Sequence, residues 1–355
     1  MRLTRTRAAL ALAAGAALLL SACGGTTGDE QEPTPTGGAT TAATEDVPLV
    51  YGVFATPLEE PWDGAIHAAI TAVAETGAIR YEHVDSVETA DAMTRTLRDI
   101  ADNQEPAIIF GDAFAAEDAV REVAAEYPDI AFVFGSGGAE QAPNFSVFDN
   151  WMQDPAYLAG MLAGGLTTSN TVGVVGAMPI PEVNRIVNGF IEGVGQTNPD
   201  ATVKVSFINS FFDPATAKQA AEAQIAAGAD VLFAERDGVI AAASEHGLPA
   251  IGMMVDQQDQ APEFVVTSLL WNMQPTVEHV LEQVLAGTYE AANLAEFSFM
   301  VNGGSSIAPV NTGIAAGVPD DLLAAVEAKQ AEIESGAFAV TVNEETPAGS
   351  VDVTQ

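Results

Sequence analysis

Cysteine is almost missing from this 355-residue chain: Cys23 stands alone, so no disulfide can close within it and no thiolate cluster can hold a metal. The four histidines, His67, His83, His246 and His279, are scattered and show no metal-ligand spacing, so no metal is expected. Basic residues are scarce as well. Twelve Lys and Arg stand against 49 Asp and Glu, and the formal charge of −37 repels polyanions, which excludes nucleic acid as a partner. Such an excess of acid reads as surface solvation for a salty or acid-tolerant setting and bears on solubility rather than on function. The chain also lacks a G-x-G-x-x-G after its first strand, a G-x-x-x-x-G-K-[ST] loop and a G-x-S-x-G elbow. Nucleotide chemistry and serine hydrolysis lose their usual signatures, and no cofactor is implied.

The one long apolar run, 8–20, follows Arg2, Arg5 and Arg7 and is too short to span a bilayer as a packed helix. It fits the hydrophobic core of an export signal over 1–22. Leu20-Ser21-Ala22-Cys23-Gly24 resembles the lipobox of bacterial lipoproteins, which implies cleavage before Cys23 and lipidation of its sulfur. Each buried methylene of such an anchor contributes ~0.8 kcal/mol, so several chains would hold the protein on the membrane. From 24 to 46 the composition is Gly, Thr, Pro, Ala and acid, a tether with a root-mean-square reach of roughly 25 Å. The expected location is the outer face of the cytoplasmic membrane.

With 48% apolar residues, the remainder is expected to fold around sizeable cores. Apolar runs alternate with helical patterns: VYGVFA, a helix over 65–75, IRYEHV, a helix over 90–101, AIIFG, a helix over 115–126, then IAFVFG. A second series repeats the alternation, with helices over 155–166, 181–197, 214–227 and 238–245 between TVGVVGA, VKVSFI, VLFA and PAIGMM. The strand runs are apolar on both faces, as parallel strands covered on both sides must be. Asp154-Pro155 and Asp213-Pro214 each place an acid cap before a first-turn proline. The fold class predicted is α/β, two doubly wound three-layer lobes joined at a hinge. Lobe 1 takes 47–152 and 271–296, lobe 2 takes 153–270 and 297–345, and 346–355 is a tail. Within these, 274–286 is expected as a helix and 297–301 as a strand.

Ligands in such folds sit at the carboxyl ends of parallel strands. Aromatics stand there: Trp62 after the first strand, Phe211 and Phe212 after VKVSFI, and Trp271 after VVTSLL. Flat rings facing one another suit a flat solute, since stacking on an aromatic contributes ~1 to 3 kcal/mol. Polar candidates at strand ends are Asn150, Asn184, Glu235, Asp256 and Gln257. Glu59, Glu60 and Asp63 cluster in one loop and are read as a solvated acidic turn, as expected by chance in so acidic a chain.

Five ordered segments resemble the basic membrane protein (Bmp/Med) family of ABC-transporter substrate-binding lipoproteins, which includes purine nucleoside receptors. They are FDNWMQDPAYLAGMLAG (148–164), GVVGAMPIPEVNRIVNGFIEG (173–193), NSFFDPATAKQAA (209–221), GADVLFA (228–234) and IGMMVDQQ (251–258), with TSLL beyond. The resemblance implies a type I periplasmic-binding fold, capture by lobe closure, and delivery to ABC permease subunits by a monomer without enzymatic activity. Residue by residue it is uneven. Trp62 and Phe211 match the two aromatics that sandwich the base in nucleoside-binding members, and Ser136 stands where those members carry an acid for the base edge. Met254 and Trp271 occupy the places of the Asp and Lys that grip the ribose. A site built for sugar hydroxyls depends on bonds that must be made. Their loss implies a free purine-like base, with Trp271 in the sugar's space. Two alternatives stay open: a purine nucleoside receptor, and a sensor that signals to a membrane kinase. An enzyme would need a catalytic pair such as Glu235 with Asp256.

Overall fold

Parallel strands that are apolar on both faces need helices over both sides of their sheet. In the computed structural model, which describes residues 47–114 and 116–353, that requirement is met twice. Cys23 and the tether, as well as Ala115, lie outside the described residues. The first sheet is built from β1 (Leu49–Val53), β2 (Arg80–Val84), β3 (Ile108–Asp112), β4 (Ala131–Gly135) and β5 (Phe145–Phe148) in the order β2-β1-β3-β4-β5, all parallel. Its helices are α1 (Pro61–Glu75), α2 (Ala90–Gln104) and α3 (Glu117–Glu126). Successive residues of β3 point to opposite faces. Ile109 packs with Leu97 and Val120 under α2 and α3, while Phe110 packs with Ile66 and Ile70 of α1. Each such side chain contributes about 1.5–3 kcal/mol by leaving water.

The second sheet repeats the winding. Helix α4 (Gln153–Leu166) leads into β6 (Thr171–Gly176), α5 (Pro181–Thr197), β7 (Thr202–Phe207), α6 (Pro214–Ala226), β8 (Val231–Ala234), α7 (Val239–Glu245), β9 (Ala250–Gly252) and β10 (Val265–Trp271). The order β7-β6-β8-β9-β10 is the order of the first sheet. Helices α4 and α5 meet backbone to backbone: a Cβ on Gly160 would fall 2.1 Å from the Phe190 carbonyl oxygen, and one on Gly193 2.0 Å from that of Tyr157. Asp213 caps α6 as expected, accepting from Thr216 N–H at 3.0 Å. Asp154 instead lies inside the first turn of α4, because the helix starts two residues earlier than its proline signals.

The chain then returns. Helix α8 (Gln274–Ala286) packs on α1, β11 (Ser305–Ile307) runs antiparallel to β10, and α9 (Asp320–Glu334) packs on α4. The strand expected over 297–301 is not formed. Two 3-10 turns, Ala295–Ser298 and Met300–Asn302, stand there, with Gly303 reversing the chain at φ 75° and buried Ser298 donating its hydroxyl to the Asp149 carbonyl. Within the expected tail, β12 (Val351–Asp352) adds a parallel strand beside β7. Among the described residues no helix is long and apolar enough to cross a membrane.

Candidate ligand-binding cleft

Parallel winding sends every strand's carboxyl end, and the loop after it, to one edge of its sheet. In this chain the two such edges line one cavity of about 560 Å³. The first sheet contributes Thr56, Glu60 and Trp62 after β1, Asp112 at the end of β3 with Phe114 beyond it, and Ser136 after β4. Phe148, Asp149 and Trp151 follow at the end of β5. The second contributes Glu182 and Arg185 after β6, Phe211 after β7 and Arg236 after β8, and Glu344 reaches in from the C-terminal segment.

Helix α1 starts at Pro61, four residues before the apolar pattern begins, because the Glu60 carboxylate caps it by accepting from Trp62 N–H (2.9 Å) and Asp63 N–H (3.1 Å). The cap turns Trp62 into the cavity wall. Its indole stacks on Phe148 (5.8 Å between centroids, 13° between planes) and leans on Trp271 at 5.1 Å, leaving it 9% exposed. Gly135 is required beneath it, since a Cβ there would fall 1.9 Å from the Trp62 ring. Phe211 is half-buried on the opposite side, edge-on to Phe114 at 4.9 Å, with the Arg236 guanidinium 5.5 Å from its ring centre. Phe212 points outward at 45% exposure, which resolves which of the two phenylalanines lines the cavity.

The charged groups are heavily paired. Arg236 donates to Glu235 (2.7 Å) and to the Phe211 carbonyl (2.9 Å) and stands 3.5 Å from Glu60, so a buried ion pair joins the two sheets' edges. Arg185 bonds Asp149 (2.5 Å) and Glu344 (3.2 Å), and its guanidinium lies over the Trp151 ring at 4.2 Å. Burial raises the pKa of Glu60 and Glu235 although Arg236 opposes the shift. Burial also pushes Asp112 up to about 7, against the bond from Phe114 N–H, and Glu182 up to about 8, with Asp149 and Glu235 adding repulsion. The reading of Glu59, Glu60 and Asp63 as a solvated turn holds for exposed Glu59 and is corrected for the other two: Glu60 is 3% and Asp63 1% exposed, the first held by its capping bonds and the second by Thr56, whose hydroxyl donates at 2.6 Å. Among the described residues no group of three or more His, Cys, Asp or Glu could hold a metal ion.

Of the ligand candidates read from the sequence, Trp62, Phe211 and Ser136 line the cavity. Trp271 does not. It is buried behind Trp62, with its indole N–H donated to Ser298 at 3.2 Å. Asp256 is exposed and turns back to accept from Gln258 N–H (3.0 Å). Asn150 is fully buried against Met254 Sδ at 3.8 Å, Asn184 donates to the Glu344 carbonyl at 2.9 Å, and Glu235 accepts from Ala177 N–H (2.8 Å) behind Arg236. Gln257 is turned inward on Met253 N–H (3.0 Å). The cavity's own polar groups sit one residue away from several of these: Asp149 and Trp151 beside Asn150, Arg185 beside Asn184, and Arg236 beside Glu235.

Two sheets wound alike, with their strand ends around one cavity, define a two-lobed fold of the periplasmic-binding type. An ABC-transporter solute-binding protein from Conexibacter woesei DSM 14684 shares this fold, with TM-score 0.68 and 24% identity over 84% of this chain and 99% of that one. Residues 55–299 match the family described as ABC transporter substrate-binding protein PnrA-like (Bmp), and the chain belongs to that family. A putative ABC transporter glucose-binding protein, TsgA13 of Haloferax volcanii, is 33% identical over 75% of this chain and 68% of its own length. The purine-binding protein BAB2_0673 of Brucella abortus is 31% identical over 64% of each. The protein is thus the substrate-binding component of an ABC transporter, a class that works outside the cytoplasm, takes up a small molecule and partners a permease.

Proposed function

We propose that this chain is a lipid-anchored receptor for a planar heterocycle, purine nucleobase-like, held between Trp62 and Phe211 as its two lobes, 47–152 with 271–296 and 153–270 with 297–345, close around it. The observation that carries this reading is that these two rings, one from each sheet, line the same cavity of about 560 Å³, within the usual range for small-molecule sites. The positions that would grip a ribose favour a free base over a nucleoside. Met254 is buried, and Trp271 supports Trp62 from behind, so neither offers a charged hydrogen-bonding group. Anchoring rests on Cys23 and its lipobox-like surroundings, and the reading is of a receptor that releases its ligand unchanged. A second reading, a sugar receptor, is favoured by the name of the Haloferax relative together with a wall that combines aromatics and carboxyls. Titration of intrinsic tryptophan fluorescence with adenine, adenosine and glucose separates the two. Saturable quenching by adenine, at least tenfold tighter than by adenosine, is expected; saturation by glucose alone overturns the proposal.

A further inference from the structure

Which flat ring binds is a question about the polar groups on the cavity wall, and the wall's cations are already engaged. Arg185 is held by Asp149 and Glu344, Arg236 by Glu235 and Glu60. Glu117 is bonded to Arg121 (2.6 Å) and to Gly138 N–H (2.9 Å). Two carboxyls remain for which no described residue supplies a contact cation. Asp112, 7% exposed, accepts from Phe114 N–H at 2.8 Å and from the Ser136 hydroxyl. Glu182 has an enclosed oxygen, Oε1, with no hydrogen-bond partner, and Arg185 and Arg236 act on it only from a distance.

An ionised carboxylate is acceptor-only, and an enclosed acceptor without a donor carries its full desolvation cost. A ligand with N–H groups at its rim removes that cost, while a rim of carbonyl or carboxylate oxygens increases it. Resting on the flat-ligand reading above, we infer that the cleft selects an amino-substituted nitrogen heterocycle, whose N–H donors are received by Asp112 from the first sheet and Glu182 from the second. These two side chains are the specificity-determining pair.

The test compares adenine and 2,6-diaminopurine with unsubstituted purine by titration calorimetry at pH 8.5, in the parent chain and in Asp112→Asn and Glu182→Gln, with circular dichroism to check folding. Hydrogen bonds to charged groups predict that the amino compounds bind the parent about tenfold or more tightly than purine, and that this ratio falls toward one in at least one of the variants. Equal affinities in the parent, or a ratio unchanged in both variants, overturns the inference. Putrescine and glucose are run beside the purines. If the flat rings bind the parent equally, the inference fails and flat-ligand capture stands; binding of putrescine or glucose alone, or of nothing in the panel, sinks both.

Discussion

Arg236 is the strongest single point of attack on this cleft, because its charge answers two buried carboxylates at once. Its side chain is 6% exposed, and those of Glu235 and Glu60 are 0% and 4% exposed. Arg236→Met keeps most of the stem and removes the charge, leaving both acids in a low-dielectric wall without their cation. Breaking a buried pair from one side costs about 3–5 kcal/mol. The loss must also depend on pH. Burial already raises Glu60 and Glu235 above their unfolded values, and without Arg236 they rise further. For groups raised in the folded state, the stabilisation they lend is complete below the unfolded pKa and disappears as pH climbs through the folded pKa. The deficit of Arg236→Met is therefore larger at pH 8 than at pH 5. Urea unfolding at both values, followed by circular dichroism, measures it: about 3 kcal/mol or more at pH 8, shrinking at pH 5, with Glu235→Gln added to the same chain restoring much of it. A deficit under about 1 kcal/mol at pH 8, or one equal at the two pH values, refutes the assignment of these three groups as a mutually dependent cluster.

Three further outcomes follow. Trp62→Ala and Phe211→Ala should each weaken adenine binding by roughly 5- to 150-fold, the range of ~1–3 kcal/mol per stacked ring, whereas outward-facing Phe212→Ala stays within about twofold; calorimetry showing Phe212 to matter more would reverse the assignment. Gly135→Ala should displace the Trp62 indole, since the added methyl would lie 1.9 Å from the ring, and the tryptophan emission maximum should shift in the ligand-free protein; an unchanged spectrum with unchanged adenine affinity would contradict the packing. Binding of an amino heterocycle should release protons near pH 7, because Asp112 (about 7, facing Glu60, Asp149 and Ser136) and Glu182 (about 8, facing Asp149, Glu235, Arg185 and Arg236) are partly protonated in the empty cleft and donors favour their ionised forms. Affinity then falls as pH drops from about 8.5 to 6, and calorimetry in buffers of different ionisation enthalpy reads the protons; proton uptake instead would mean that the carboxyls bind as donors.

The alternation of apolar runs and helices was enough to read two doubly wound units, since parallel strands buried on both faces leave a continuous apolar signature. The cleft was legible only in part, and the misses have a common geometry. Asn150, Asn184 and Glu235 are polar residues that follow strands, but each points into protein while an immediate neighbour points into the cavity: Asp149 and Trp151, Arg185, and Arg236. Beside a strand end, as at Glu235, one residue of slip reverses the side-chain direction, and along α5 the successive Asn184 and Arg185 point about 100° apart; composition carries no mark of which residue faces out. Glu60 was hidden differently. In a chain with 49 acids, composition alone does not distinguish a solvated glutamate from one that caps a helix and meets an arginine 176 positions away. The signal that could have exposed it was Glu60-Pro61 itself, an acid followed by proline at a helix's first position, the same signature read at Asp213-Pro214.

The two arginines decide what kind of ligand the cleft accepts by already being bonded to protein. A cleft with two guanidiniums on its wall looks suited to an anion, and the magnitudes argue otherwise. An anionic ligand would have to draw Arg236 from Glu235 and Glu60, whose side chains are 0% and 4% exposed, and stranding such buried partners costs about 3–5 kcal/mol, whereas the partners of Arg185, Asp149 at 24% and Glu344 at 43%, are reached by solvent and cost less to release. One charge-assisted hydrogen bond to the newcomer returns only about 1.5–3 kcal/mol. The exchange is unfavourable at Arg236. Donors meet no such barrier: Glu182 Oε1 has no partner to lose, and Asp112 gives up only the proton that burial has left on it. The same ion pairs that hold the two sheets' edges together thus remove the cleft's positive charge from play and leave its acceptors facing the ligand.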